Sequence, residues 1–346
     1  MTASQSSTPV YRETPQWQRA LAEAIRDPRE LLAELDLPGS LLDGATAGAG
    51  LFPLRVPRAY LRRIRRGDPH DPLLRQVLPL AAETRQAPGY VDDPVGEHAA
   101  LRAGGVIHKY RGRALIVTTG ACGIHCRYCF RRAFPYTDHQ AAPGGWRGAL
   151  ATLDADPSIE EVILSGGDPL SLADRRLSAL AEGLAGIPHL RRLRIHSRLP
   201  VVLPERITPA LLDWLTGTRL QPVMVIHANH PAELEDDEVA SAVMMLRRHG
   251  VTVLNQAVLL RGVNDDPITL AGLSEKLFAH GVLPYYLHLL DPVRGAGHFD
   301  VPEAVAARLM REVSARLPGY LVPRLVREIP GRPAKTWLAW DTSEAN

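Results

Sequence analysis

All three cysteines of this 346-residue chain fall within eight positions, as Cys122, Cys126 and Cys129 in the run TTGACGIHCRYCFRR that starts at residue 118. The C-x3-C-x2-C spacing lets three thiolates converge on one object a few Å across. Zinc is one reading, with His125 or a distant residue as fourth ligand, although structural zinc sites draw on two short Cys/His hooks and no second hook is visible. Three unrelated buried cysteines are another. An iron–sulfur cluster accounts better for the odd count, because a cubane takes one ligand per iron and three thiolates leave one iron open to a substrate or cosubstrate. Three thiols cannot all pair with one another, so a disulfide framework is not expected.

Further chemistry-bearing residues stand where short apolar, β-branched runs end: SGGDPL, HSRLP, HANHP, LLRGVND and LLDPVRG. The runs themselves are ALIVTT from 114, EVILSG from 161, LRRLRIHS from 190, PVMVIHA from 222, VTVLNQAVLL from 251 and LPYYLHLL from 283. Between them lie helical patterns, such as Leu172, Leu177, Leu180 and Leu184, or Val239, Val243 and Leu246 ending at RRHG. Strands alternating with helices predict a parallel sheet with crossover helices, either doubly wound or a curved, incomplete relative of the eightfold barrel. Both architectures bind ligands at the carboxyl ends of their strands, so one mouth should hold nearly all the chemistry.

Residues 1–105 read as a helical, Pro-punctuated extension, with Trp17, Leu21 and Ile25 at four-residue spacing and Asp27-Pro28 as cap and first position of a second helix. Residues 106–320 carry the strand–helix alternation, and 321–346 form a last segment containing a further strand-like run and the loop PGRPAKTW. The 40 Lys and Arg nearly balance the 38 Asp and Glu, which gives no case for a general nucleic-acid or membrane surface. The start MTASQSSTPVYRETPQW lacks a secretory pattern, and no later stretch approaches the roughly 20 apolar residues of a membrane span. A cytosolic protein is expected.

The thiol loop, placed after the first strand, resembles the signature of the radical S-adenosylmethionine superfamily. That resemblance implies a [4Fe-4S] cluster on Cys122, Cys126 and Cys129, S-adenosyl-L-methionine on the open iron, an electron donor as partner, and an incomplete (β/α)6 barrel of TIM type. It also implies that Gly166, Gly167 and Asp168 contact the methionine amino group, although glycines in a strand-to-helix turn serve backbone geometry equally well.

In this order, HKYRGRALIVTTGACGIHCRYCFRR, LSGGDPL, RIHSRLPVVLPERIT, HANHP, NQAVLLRGVND, LLDPVRGAGHF and PGRPAKT closely resemble the lysine 2,3-aminomutase family, over roughly residues 90 to 338. The likeness implies pyridoxal 5'-phosphate carried by Lys335 and contacted by Arg113, with Arg131 binding the carboxylate of L-lysine. Asp291 and Glu328 would hold the distal ammonium, and His227 and Gln256 would lie near the adenosyl group. The competing view of Arg131 is an exposed basic pair with Arg132. An adenosyl radical would take a hydrogen from the substrate's β-carbon, and the nitrogen would shift by one carbon.

The chain differs from the free-lysine enzymes in having Glu328 where they have Asp, in having GRPA where they have glycines, and in stopping soon after Lys335. In these respects it resembles the short bacterial branch that modifies elongation factor P, which makes (R)-β-lysine for a lysyl-tRNA-synthetase-like ligase. Two alternatives stand beside this. One is an aminomutase for another amino acid or for free β-lysine. The other is a zinc-containing nucleic-acid-binding protein, suggested by RAYLRRIRR from residue 58, though Leu61 and Ile64 there fit an amphipathic helix with a solvated face.

Overall fold

The structure, a computed structural model, describes residues 14–141 and 145–340. Most of the opening stretch read above for a secretory pattern lies outside the described residues. Ten strands form one sheet in simple chain order: β1 (Leu101–Arg102), β2 (Val106–Tyr110), β3 (Arg113–Thr119), β4 (Glu161–Gly166), β5 (Arg192–Ser197), β6 (Gln221–Ile226), β7 (Thr252–Val258), β8 (Leu283–His288), β9 (Arg324–Arg327) and β10 (Thr336–Trp337). The six expected strands are β3 to β8, all parallel, and the run near residue 320 adds β9 parallel to β8. Antiparallel β1–β2 and β10 finish the two edges. Among the described residues no pairing joins β10 back to β1, so the barrel is incomplete and open.

The strands alternate in an inverted sense. Arg192, Arg194 and His196 of β5 face an interior cavity, whereas Leu193 and Ile195 between them are fully buried in the apolar core. The same period of two sends Glu161, Ile163 and Ser165 of β4, Thr252, Leu254, Gln256 and Val258 of β7, and Tyr286 and His288 of β8 inward. The outward positions are covered by helices whose apolar stripes match them. Asp174–Ala185 buries Leu177, Leu180 and Leu184, and Asp237–Arg248, capped by Asp236, buries Val239, Val243 and Leu246. Leu172 lies just ahead of the first of these helices.

One apolar core runs from Trp17 to Leu325, so it spans all three sequence segments. Helix Gln16–Ala22 buries Trp17 and Leu21, but Ile25 is not on it. Ile25 instead forms an isolated antiparallel bridge with Val56, because the helix stops at Glu23 and the chain extends. Asp27 caps helix Pro28–Glu34 by accepting from the Arg29 N–H at 2.8 Å. In the basic run from 58 only Arg58–Leu61 is helical, yet Leu61 and Ile64 are both buried. Its arginines are spent on internal partners. Arg58 pairs with Glu30 and Glu34, Arg65 with Asp68 and Asp71, Arg66 with Asp36, and Arg63 reaches the carbonyls of Val201 and Glu233. No helix among the described residues is long and apolar enough to cross a membrane.

Candidate active site

A cavity of about 650 Å³ occupies the interior of the open barrel, within the range of pockets for small ligands. All thirteen residues expected from sequence to touch cofactor or substrate line it: the three cysteines, Arg113, Arg131, Gly166, Gly167, Asp168, His227, Gln256, Asp291, Glu328 and Lys335. The thiols and the Lys335 amine, more than 200 positions apart in the chain, therefore face the same space.

The thiol loop follows β3 and is anchored from outside. Arg127, between Cys126 and Cys129, is fully buried with Glu83 and donates to both its carboxylate oxygens at 2.8 and 2.6 Å and to the carbonyls of Gly48 and Phe52. Arg132 shares Glu83 at 2.7 Å. The N-terminal helical region is thus the outer wall of the loop. His125 turns away from the cavity, stacked on Phe52 with its Nδ1 2.8 Å from the Pro53 carbonyl, so it is not a fourth ligand. All three thiols are free, and burial pushes Cys129 up to about 11 and Cys122 well above the ordinary thiol range. Burial thus favours the neutral form of Cys122 and Cys129 in the bare protein, and a cationic partner is what would turn them into thiolates. Among the described residues no three His, Cys, Asp or Glu side chains converge on one ion; in a cubane each thiolate meets a different iron.

At the end of β4, Gly166 has φ of +112°, and a Cβ on Gly167 would lie 2.4 Å from the Ala121 carbonyl oxygen. The glycine pair is needed to lay this turn against the thiol loop. Asp168 is committed inside the protein. Its carboxylate accepts from Ser197 Oγ (2.7 Å) and from the N–H groups of Arg198, Leu170 and Leu199. It ties β4, β5 and the turn together.

Arg131 is buried, which removes the exposed basic pair as a description. Its Nε and Nη2 hold Glu97 at 2.7 and 2.6 Å, and Nη1 donates to Ser165 Oγ at 2.8 Å. Burial opposes its charge and Glu97 more than offsets that. A ligand carboxylate would have to approach the other edge of the fork or displace Glu97. Arg113 opens β3 with its guanidinium over the Tyr110 ring at 4.6 Å.

Hairpin β9–β10 explains the closeness of Glu328 and Lys335. Arg327 pairs with Thr336, so the residues one step inward face each other, and the Lys335 Nζ sits 2.6 Å from the Glu328 carboxylate. Lys109 reaches the other Glu328 oxygen at 2.8 Å. Burial raises the Glu328 pKa, but the two lysines outweigh it and hold the group at about 2. Asp291 has the opposite fate. Burial lifts it to about 7 against the pull of Lys335, and its Oδ1 has no hydrogen-bond partner. Three histidines, His196, His227 and His288, also present Nε2 atoms without partners, and burial keeps each neutral, His227 at about 4.

The chain is 48% identical to the L-lysine 2,3-aminomutase of Haemophilus influenzae over 96% of its own length and 98% of that protein. It is 49% identical to that of Escherichia coli over 93% and 94%. The chain belongs to the L-lysine 2,3-aminomutase family. A longer aminomutase, from Clostridium subterminale, is 34% identical over 92% of this chain and 77% of its own. No protein-family model matches the chain. Among solved structures, Streptococcus suis SuiB bound to S-adenosylmethionine resembles it at a TM-score of 0.46 and 14% identity, over 64% of this chain and 51% of that one.

Members of this family are isomerases, which removes the nucleic-acid-binding alternative. Among the cavity residues not singled out from sequence are Glu97, Lys109, His196 and His288. The histidines carried a readable signal, since each stands at an inward position of a strand whose alternate residues are apolar. Glu97 and Lys109 carried none, because their partners lie 34 and 219 positions away.

Proposed function

We propose that this chain catalyses the 2,3-shift of the amino group of L-lysine by radical S-adenosylmethionine chemistry. Cys122, Cys126 and Cys129 would hold a [4Fe-4S] cluster, and Lys335 would carry pyridoxal phosphate. The observation that carries the reading is that the three thiols and the Lys335 amine line one cavity beside an unpartnered buried carboxylate. When bound, the cluster with its cosubstrate supplies a hydrogen-abstracting radical, and the pyridoxal group supplies a π system that lets nitrogen migrate.

The chain's own residues account for selectivity. Engaging the Lys335 amine elsewhere removes one cation from Glu328, which still keeps Lys109. Asp291 keeps only the more distant pull of Lys109 and has no hydrogen-bond partner at Oδ1, and a buried carboxylate so placed is costly. A substrate whose far end is an ammonium meets that need, whereas glutamate would place a second anion there. The neutral histidines line the same space without adding charge, and the hydrogen-bonded turn at Gly166–Asp168 fixes the thiol loop against the strand ends.

The same reading extends to a role in making (R)-β-lysine for elongation factor P in the cytosol, with a separate ligase attaching it. Support comes from the greater identity to the shorter relatives, 48% and 49%, than to the longer Clostridium enzyme, 34%. The test is an anaerobic assay with S-adenosylmethionine, reductant, pyridoxal phosphate and L-lysine, with products resolved by chiral chromatography. (R)-β-Lysine is expected; brown, cluster-loaded protein that leaves lysine unchanged while shifting another amino acid would overturn the substrate assignment.

A further inference from the structure

Arg198 is the first residue after β5, and its side chain is almost wholly buried. One terminal nitrogen donates to Cys126 Sγ at 2.7 Å and to the Tyr128 hydroxyl at 2.7 Å. The other donates to Gln76 Oε1 at 2.7 Å and to Glu233 Oε2 at 2.8 Å. Among the described residues it is the one side chain that donates a hydrogen bond to a cysteine sulfur. The surrounding groups fix it there. Glu233, fully buried, also accepts from the Asn229 N–H at 2.8 Å and from Gln76 Nε2 at 3.1 Å, while Asn229 Nδ2 donates to Tyr128 at 2.6 Å.

We propose that Arg198 is a positioning residue that acts through Cys126 to set the reduction potential of the metal centre, with Glu233 as the counter-charge that limits its effect. The inference rests on the reading that the three thiols hold an iron–sulfur cluster. One-electron reduction adds a negative charge to the cluster and its thiolates. An N–H aimed at a ligating sulfur, on a group that cannot lose its proton, stabilises that more negative state and raises the potential. The buried carboxylate beside it works in the opposite direction. The two residues should therefore have effects of opposite sign, which a purely structural network would not produce.

The experiment uses anaerobically reconstituted full-length protein, with the midpoint potential read by EPR-monitored titration without S-adenosylmethionine. Arg198→Gln is expected to move the midpoint to more negative values and Glu233→Gln to more positive ones, both with iron and sulfide contents equal to wild type. Midpoints that stay together, or that separate only after S-adenosylmethionine is added, would overturn the proposal, the latter in favour of a cosubstrate contact. Should either variant fail to assemble, pulsed EPR on wild-type protein labelled with 15N only in the arginine guanidinium decides the matter. A contact coupling from that nitrogen supports the proposal and its absence overturns it. Colourless wild-type protein without iron would instead remove the cluster reading itself.

Discussion

Asp291→Asn should make the cofactor-free protein more stable in alkaline solution while disabling it as an enzyme. The Asp291 carboxyl moves from 3.8 to about 7 on folding because burial disfavours its charge. Between these values the native state binds the extra proton, so this residue's contribution to stability falls as pH rises and is fully lost above about 7. At about 1.4 kcal/mol per tenfold change in acidity, the ceiling is about 4 kcal/mol. Water penetration should leave about half of that, since the effective dielectric of buried sites exceeds that of dry protein. Asparagine removes the ionisation and keeps the shape, and Oδ1 lacks a partner in either case. Urea unfolding of both proteins at pH 5 and 8.5 samples only the part of that range above pH 5, so the double difference is expected at about 1 kcal/mol in favour of the variant at the higher pH. Turnover of lysine should fall at least about a hundredfold, from loss of a buried charge partner. A stability difference independent of pH would refute the argument that this carboxylate is held, unpaired, for a cation.

Lys335→Ala should abolish covalent capture of pyridoxal phosphate, seen as a missing borohydride-trapped adduct in mass spectrometry, while iron content stays at the wild-type level. Glu83→Gln leaves Arg127 and Arg132 buried without their anion and should cost about 3–5 kcal/mol in denaturant unfolding, a loss typical of breaking a buried pair from one side. Gly167→Ala drives a Cβ to within 2.4 Å of the Ala121 carbonyl; iron retained per chain after desalting should drop well below wild type, and full retention would show that the turn can shift without cost.

The strands were legible because short apolar, β-branched runs recur between helical patterns, and the turn and thiol motifs sit where those runs stop. What composition and spacing could not reveal was commitment. Asp168 and Arg131 look free in the sequence, yet the first is spent on Ser197 and three backbone N–H groups and the second on Glu97. Ile25 kept the helical interval but left the helix, because a partner strand position at Val56 outcompeted a helix already ended at Glu23. The arginines of the 58–66 run read as a basic stripe until their carboxylate partners, from Glu30 and Asp36 to Asp236 and Glu238, were brought beside them.

The outer clamp on the thiol loop has a consequence for biosynthesis. Gly48, Phe52 and Glu83, which grip Arg127, leave the ribosome before the thiols do, whereas the hairpin bearing Lys335 comes last. The nascent chain thus acquires the cradle of one reactive centre well before the second can exist, and a truncated product ending near residue 320 should already sequester its sulfurs from oxidants while having no amine to offer an aldehyde.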